Sequence, residues 1–211
     1  MPGLRLALLS HHDPRFGTAT YQRLRGWFPQ QRPRLAYLAS DLRRLGPYFY
    51  VQQEIYARFG LALDDLAEVT DGFRPELLGH LQQYSGLHLS GGNTPRFLAL
   101  LRQQGLVPHV KNFAGAGSVI VGVSAGAILQ TPSLHTAQAV GDDFTEADAD
   151  WAALGLVDFH FWPHYTAEDE AAAQALAAQL GRPLHAAPDG SGVLVEGTAA
   201  VALTGTRVFT G

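Results

Sequence analysis

A serine between two glycines follows an apolar run near the middle of the chain. Gly122, Ser124 and Gly126 form the pattern Gly-x-Ser-x-Gly within SVIVGVSAGAILQ, residues 118–130. A strand before this pattern and a helix after it would make a sharp turn that exposes the serine Oγ and leaves no room for side chains at the glycines. The amide of Ala125 would then start the helix, where it can bind an oxyanion. The pattern by itself also fits a small residue at an ordinary strand-to-helix junction, so partner residues must decide.

A second glycine cluster contains Gly91, Gly92 and Asn93 within LSGGNTPRFLALL, residues 89–101. One interpretation is a tight turn between a strand and a helix, with a proline in the first helical turn. In a parallel sheet this turn lies at the same strand end as the serine. The amide of Gly91 or Gly92 is then a candidate second oxyanion donor, and Asn93 a candidate hydrogen-bond partner of a substrate. Phosphate binding is disfavoured, because neither Gly-x-Gly-x-x-Gly nor a following Lys is present.

A nucleophilic serine needs a base, and the chain has nine histidines. His164 ends an apolar stretch and precedes a helical pattern, which predicts a loop position at the carboxyl edge of the sheet. Asp189, in a Pro-Asp-Gly sequence, is the matching acid, although such a tripeptide is also a common turn. Glu196, at the end of the next apolar run, is the competing carboxylate.

Two other arrangements use different residues. The order Ser124, Asp158, His185 would match an α/β-hydrolase, but Asp158 is expected within a strand. The sequence His-His-Asp at 11–13 suggests a metal site only weakly, because adjacent histidines on a loop rarely converge on one ion. We therefore expect no metal. The chain has no cysteine, which excludes disulfides, thiolate catalysis and Cys-based metal sites.

Short apolar runs alternate with amphipathic stretches over much of the chain. Runs at 4–10, 34–40, 86–92 and 118–124 predict strands, and helical patterns separate them. This alternation predicts an α/β fold with a mostly parallel sheet, helices on both faces, and a site outside the carboxyl ends of the strands. Residues 166–181 predict a helix with Thr at its start and Gly at its end. Without a repeat or linker, the 211 residues predict a single domain.

Charge and hydropathy limit the partners. The formal net charge is 15 − 19 = −4, which provides no basic surface for nucleic acid. No apolar run approaches the length of a membrane span. The apolar segment at 4–10 is too short for the core of a signal peptide. We therefore expect a cytoplasmic protein that binds neither nucleic acid nor a membrane.

Four segments in this order resemble the peptidase E (α-aspartyl dipeptidase) and cyanophycinase family of serine peptidases. They are LSGGNTPRFLALLR at 89–102, VIVGVSAGAILQ at 119–130, LGLVDFHFWPHY at 154–165 and AAPDGSGVLVEG at 186–197. The resemblance implies a flavodoxin-like fold related to class I glutamine amidotransferase domains, whose nucleophile is a cysteine that this chain lacks. It implies no metal and no cofactor, and it implies a homodimer or a larger homo-oligomer.

The resemblance also implies roles for individual residues. Ser124 would be the nucleophile, His164 the general base and then acid, and the amides of Gly92 and Ala125 the oxyanion donors. Asp189 stands where the aspartyl dipeptidases have a Glu in a Pro-Glu-Gly setting. The shorter side chain still accepts a hydrogen bond from Nδ1 if the backbone lies closer to the histidine.

One departure from the family concerns the substrate. The aspartyl dipeptidases carry an Arg downstream of the active histidine that pairs with the substrate's aspartate side chain. Here no basic residue precedes Arg182 in that region, and acids that include Glu168 stand first. In the simplest interpretation these acids complement a helix dipole. In the alternative interpretation one of them binds the α-amino group of a substrate. A carboxypeptidase-like mode would instead need an Arg, for which Arg96 is the candidate.

The residues and the resemblance together predict a serine exopeptidase, dipeptidase-like, that hydrolyses short peptides with a Ser-His-Asp triad. A preference for aspartyl substrates does not follow, because the family's Arg is missing. The alternatives are a carboxypeptidase-like or cyanophycinase-like member of the same family, an esterase, or a non-catalytic ligand-binding domain of the amidotransferase-like fold.

Overall fold

A computed structural model of the chain describes residues 3–11, 18–40, 47–65, 81–144 and 150–211. Strands and helices are interspersed as far as residue 139, and the elements after residue 180 are strands. In chain order they are β1 (Arg5–Leu9), α1 (Thr18–Gly26), β2 (Arg34–Leu38), α2 (Pro47–Arg58), β3 (Ala62–Asp65), β4 (Gly86–Leu89), α3 (Thr94–Gln103), α4 (Leu106–Gly115), β5 (Val119–Val123), α5 (Ala125–Ile128), α6 (His135–Ala139), β6 (His160–Trp162), a 3-10 turn (Ala167–Asp169), α7 (Glu170–Leu180), β7 (Leu184–Ala186), β8 (Gly192–Glu196), β9 (Ala199–Ala202) and β10 (Arg207–Phe209).

Seven strands form the main sheet in the order β3-β2-β4-β5-β1-β8-β9. The first five strands of this order are parallel, whereas β8 runs antiparallel to both β1 and β9. Strand β1 therefore lies inside the sheet, with Leu9 opposite Val123 of β5 on one side and Gly192 of β8 on the other. The carboxyl ends of β1 and β5 and the start of β8 thus meet at one edge of the sheet.

The inner strands of the sheet, β1, β4 and β5, are buried on both faces. Leu6 and Leu8 of β1 pack in one apolar cluster with α3 and α4, whereas Ala7 and Leu9 pack in the opposite cluster with α1 and α2. Side chains of successive strand residues point to opposite faces, so a strand covered on both sides needs an unbroken apolar run. This packing confirms the predicted α/β fold, a flavodoxin-like, mostly parallel sheet with helices on both faces.

A small second sheet follows in the order β10-β7-β6, with β6 and β7 parallel. Helix α7 packs on it through Ala173 and Ala177. The predicted helix at 166–181 is divided, because a 3-10 turn precedes α7, and Thr166 donates its amide and hydroxyl hydrogens to the Asp169 carboxylate. Gly181 ends the helix with a φ of 60°, a left-handed conformation that glycine adopts without a steric cost.

Some elements escaped the sequence interpretation. Helix α4 was not predicted because it follows Gly105, contains Pro108 and ends at Gly115. The proline occupies the first turn, where no backbone hydrogen bond is lost. The segment 137–144, which has no clear helical pattern in the sequence, includes the end of α6. A helical pattern at 75–84 falls mostly outside the described residues. None of the helices within the described ranges is long and apolar enough to cross a bilayer.

Three histidines lie in the core and favour their neutral form. Burial lowers the pKa of His88 to about 3. It lowers the pKa of His160 to about 4, with smaller contributions from His135 and Arg182. It also lowers the pKa of His185. In the unfolded chain each imidazole would titrate near pH 6.5, so the unfolded state binds more protons than the folded state below about that pH.

The stability of the fold is therefore expected to fall as the pH drops from about 6.5 towards 4, by up to about 1.4 kcal/mol per pH unit for each of these histidines. Replacing His160 with Phe removes one titrating group and should flatten this dependence in urea unfolding measured across the pH range. Above about pH 7 the imidazoles are neutral in both states, so variant and wild type should run parallel there. A His160→Phe protein that keeps the full acid slope would contradict this assignment.

Candidate active site

Ser124 sits on a sharp turn between β5 and α5. Its backbone has φ 49° and ψ −109°, a conformation that costs energy in any residue with a Cβ. The flanking glycines are required by space. A methyl group on Gly122 would lie 2.2 Å from the carbonyl oxygen of Gly126, and one on Gly126 would lie 2.2 Å from that of Leu89. The turn is therefore held by the packing of strand and helix, which explains the sequence pattern.

His164 connects Ser124 to a carboxylate. Its Nε2 lies 3.0 Å from Ser124 Oγ, and its Nδ1 lies 2.7 Å from Asp189 Oδ1. Because an ionised carboxylate can only accept, the neutral ring carries its proton on Nδ1 and leaves Nε2 free to accept from the serine hydroxyl. The side chains of His164 and Asp189 are 43% and 54% exposed, so the three residues lie open to a substrate.

The parallel pairing of β6 and β7 brings His164 and Asp189 together. Trp162 lies opposite Ala186 in this pair, so the residues that follow both strands emerge at the same edge. The Ala187 amide donates to the Trp162 carbonyl at 2.9 Å, which extends the alignment beyond the strands. The carboxyl ends of β6 and β7 are neighbours in the small sheet, so the loops that follow them hold the imidazole and the acid side by side.

Glu196, the competing carboxylate, lies elsewhere. It is opposite Arg5 at the far end of β8, about 14 Å along the strand from Gly192, and its side chain approaches Arg23 at 3.9 Å. Asp189 is therefore the carboxylate that contacts His164. The side chain of Asp189, although shorter than the Glu of the aspartyl dipeptidases, reaches the ring of His164.

Ser10 was not singled out by the sequence. It directly follows β1 and is fully buried. Its hydroxyl donates to Asp189 Oδ1 at 3.0 Å and accepts the backbone N–H of His164 at 2.7 Å. The available signal was its position, since a polar residue at the carboxyl end of an apolar strand is placed where sites form in parallel sheets.

The glycine pair after β4 lies against the serine. A methyl group on Gly91 would be 3.6 Å from Ser124 Cβ. The Gly91 carbonyl accepts hydrogen bonds from the hydroxyls of Ser40 and Ser90, two further serines that follow neighbouring strands. Gly92 has φ 129°, and a methyl group there would collide with Ser40 Oγ at 2.0 Å. The loop is thus packed in one conformation next to the nucleophile candidate.

The predicted substrate-binding residues differ in their contacts. Asn93 caps α3, since its Oδ1 accepts the Arg96 amide at 2.9 Å, and its Nδ2 donates to the Asp143 carbonyl at 3.4 Å. Arg96 is exposed on the first turn of the same helix. Substrate contacts by Asn93 and Arg96 stay predictions.

Glu168 differs from the two acids that follow it. Asp169 receives the hydrogen bonds of Thr166, and both oxygens of Glu170 pair with Arg207 at 2.7 and 2.9 Å. Glu168 makes neither contact and is exposed, on the turn that follows His164. Of the three acids, it is the one that takes part in neither the cap nor the ion pair.

The alternative arrangements are not assembled. His185 is buried in β7 and packs against Phe159, with the ring centroids 4.4 Å apart and the planes tilted by 50°. It therefore does not face Ser124 with Asp158 behind it. Of the His-His-Asp sequence at 11–13, the last two residues lie outside the described residues. Within the part of the chain that the structure describes, no three His, Asp or Glu side chains are placed to hold a metal ion.

A serine on a strained strand-to-helix turn, hydrogen-bonded to a histidine that a carboxylate supports, is the arrangement of α/β serine hydrolases. Comparison with known families agrees with this class. The model of Peptidase family S51 matches residues 6–203. The chain belongs to peptidase family S51, which confirms the predicted resemblance to the peptidase E and cyanophycinase group.

Individual relatives are more distant. An uncharacterized peptidase of Pasteurella multocida is 30% identical over 122 residues, which cover 56% of this chain and 58% of the relative. An uncharacterized peptidase of Listeria monocytogenes is 28% identical over 128 residues, 60% of this chain and 62% of that protein. The chain thus aligns with about three-fifths of the length of these curated relatives.

Two solved structures share the fold. The crystal structure of a candidate peptidase E protein from Listeria monocytogenes superposes with a TM-score of 0.75 at 18% identity, covering 99% of this chain and 100% of that one. A peptidase from an acI-B1 actinobacterium superposes with a TM-score of 0.70 at 14% identity, covering 99% and 95% of the two chains.

Proposed function

We propose that this chain is a serine exopeptidase that hydrolyses short peptides with Ser124, His164 and Asp189 as its catalytic triad. The observation that carries the proposal is the continuous hydrogen-bonded series from Ser124 Oγ through the His164 ring to Asp189, on the turn that exposes the serine. Membership of peptidase family S51 supports peptide hydrolysis as the reaction.

In the proposed reaction, Ser124 Oγ attacks the scissile carbonyl carbon while His164 Nε2 takes the hydroxyl proton. The tetrahedral intermediate collapses as the C–N bond breaks, and the imidazolium gives its proton to the leaving amine. Water then attacks the acyl-enzyme with His164 again as base, which releases the acid and restores the serine. Asp189 keeps the ring in the required tautomer and stabilises the imidazolium.

The amides of Gly92 and Ala125 are the proposed oxyanion donors. Ala125 is the first residue of α5, and the first amides of a helix have no acceptor within it. The hydroxyls of Ser40 and Ser90 hold the Gly91 carbonyl. Because C=O and N–H point in opposite directions across a trans peptide, this grip leaves the Gly92 N–H directed away from those hydroxyls and available to an oxyanion.

Substrate selection is proposed to depend on Glu168. Its exposed carboxylate follows His164 by four residues and is not used in the cap or the ion pair of the neighbouring acids. A carboxylate so placed suits the α-amino group of a short peptide. A site restricted to chain ends would spare folded proteins, which also suits the cytoplasmic location that we propose.

A panel of dipeptides and tripeptides with free or blocked termini tests this proposal. We expect hydrolysis to require a free α-amino group, and we expect Glu168→Gln to raise KM by about 10-fold with little change in kcat, because an ion pair made equally in ground and transition states is lost. Glu170→Gln is the matched control, since that carboxylate is engaged by Arg207; it should leave KM unchanged.

Other outcomes of the panel would change the assignment of substrate. A requirement for a free carboxyl group, together with a raised KM in Arg96→Ala, would contradict the role of Glu168 and indicate a carboxypeptidase-like enzyme. Hydrolysis of cyanophycin in preference to short peptides would indicate the cyanophycinase-like alternative. Cleavage of esters but of no peptide would contradict the proposed peptidase activity.

A further inference from the structure

We propose that Ser10 is a positioning residue that holds the acid and the base of the triad in register. The inference rests on the proposed function and adds a fourth side chain to it. The Ser10 hydroxyl makes two hydrogen bonds of different sense, donating to Asp189 Oδ1 at 3.0 Å and accepting from the His164 backbone N–H at 2.7 Å.

The atoms involved make this contact specific. Asp189 Oδ1 is the same oxygen that lies 2.7 Å from His164 Nδ1. Ser10 therefore fixes the oxygen that orients the imidazole, and it fixes the backbone from which that imidazole projects. His164 has φ 57°, an unusual conformation for a residue other than glycine, and the accepted N–H bond helps to hold it there.

Ser10 is itself fixed at the end of strand β1. Its amide donates to the Ser191 carbonyl at 3.0 Å, and the carbonyl of the preceding Leu9 accepts the amide of Ser124 at 2.9 Å. The end of β1 thus lies between the strand that carries the nucleophile and the turn that carries the acid. The side chain of Ser10 is fully buried, so its hydroxyl is not open to competition from water.

The acid and the base, in contrast, are exposed. Asp189 has 54% of its side chain accessible and His164 has 43%. A carboxylate in water has other partners available, and a hydrogen bond to a buried hydroxyl restricts it to the productive rotamer. Loss of Ser10 would therefore lower the fraction of molecules with an aligned triad without removing any group that touches substrate.

The test compares Ser10→Ala with Ser191→Ala. Both remove a buried, hydrogen-bonded hydroxyl at this edge of the sheet, but the Ser191 hydroxyl bonds to Thr206 and not to the triad. We expect Ser10→Ala to lower kcat by about 10- to 100-fold with KM nearly unchanged, and Ser191→Ala to keep kcat. Ser10→Cys keeps a side chain of similar size that donates a hydrogen bond only weakly, so its kcat should lie between those of the two alanine variants. Thermal unfolding of each variant would reveal a folding defect.

Two readouts separate positioning from a structural role. The far-downfield proton resonance of a histidine Nδ1–H bonded to a carboxylate should be present in the wild type and weakened or lost in Ser10→Ala. In an Asp189→Ala background, Ser10→Ala should cost less than about threefold further in kcat, because the carboxylate through which it acts is gone. Equal losses in both backgrounds, or an unchanged kcat in a folded Ser10→Ala protein, would overturn the proposal.

Labelling with a serine-directed fluorophosphonate distinguishes this failure from failure of the proposed function. If Ser124→Ala abolishes labelling and hydrolysis while Ser10→Ala matches the wild type, the triad stands and the role of Ser10 is wrong. If the wild type neither labels nor hydrolyses any peptide of the panel, the proposed function itself is wrong.

Discussion

Replacing Ser124 with glycine is expected to abolish peptide hydrolysis and at the same time to stabilise the fold. Activity should fall by at least about 10⁴-fold, because no other group in the triad can form the acyl-enzyme. The backbone conformation of Ser124 costs on the order of 1–3 kcal/mol in a residue with a Cβ. Glycine relieves that cost but adds about 0.5–1 kcal/mol of chain entropy in the unfolded state. The net gain in unfolding free energy is therefore between about 0 and 2.5 kcal/mol.

Ser124→Ala is the matched variant for this experiment. Alanine removes the nucleophile in the same way but keeps the Cβ and hence the strain, so the two inactive proteins should differ in stability. Urea unfolding of wild type, Ser124→Ala and Ser124→Gly measures the difference. Hydrolysis near the wild-type rate in either variant would contradict the role of Ser124 as nucleophile. A destabilised glycine variant would show that the backbone conformation of Ser124 is not strained.

Replacing Asp189 with Asn should lower kcat by about 10³- to 10⁴-fold with little effect on KM. The amide can turn its NH₂ group towards Nδ1 of His164, which favours the ring tautomer with the proton on Nε2. That tautomer cannot accept the Ser124 proton. The variant should remain folded, because the change is isosteric and the side chain is half-exposed.

Glu196→Gln is the control for the acid. Glu196 is the last residue of β8, the strand that follows Asp189, and so lies at the end of that strand far from the site. Its kcat should stay within about twofold of the wild type, because exposed carboxylates far from a site contribute little. A large loss in Glu196→Gln with none in Asp189→Asn would reverse the assignment of the acid.

Much of the fold and part of the site were predictable because their signals are local. Continuous apolar runs indicated strands buried on both faces, and β1, β2, β4 and β5 are found within the predicted segments. The turn at Ser124 was predictable because strand, glycines and helix are consecutive in the chain. His164 and Asp189 could be proposed from loop positions, and the resemblance to a family then supported this choice among nine histidines.

Other features were not predictable for a physical reason. Ser10 is 179 residues from Asp189 and 154 from His164, and only the placement of β1 between β5 and β8 brings their polar atoms within 3.0 Å. Glu196 follows an apolar run, as a site residue in a parallel sheet would. Because β8 is antiparallel to β1, its end at Glu196 lies away from the site. Asn93 looked equally available to a substrate until its contacts with the start of α3 were seen.

The sequence by itself determined the positions of β1, β2, β4 and β5, that these strands are buried on both faces, and that Ser124 occupies a turn between a strand and a helix. These depend on patterns of neighbouring residues and on the steric limits of the backbone. The tertiary structure alone decided which carboxylate contacts His164, that Ser10 is hydrogen-bonded to both residues, and which acid beyond His164 is not engaged by Thr166 or Arg207. Hydrogen bonds act over about 3 Å, and strand order and register, not local pattern, determine which distant residues come that close.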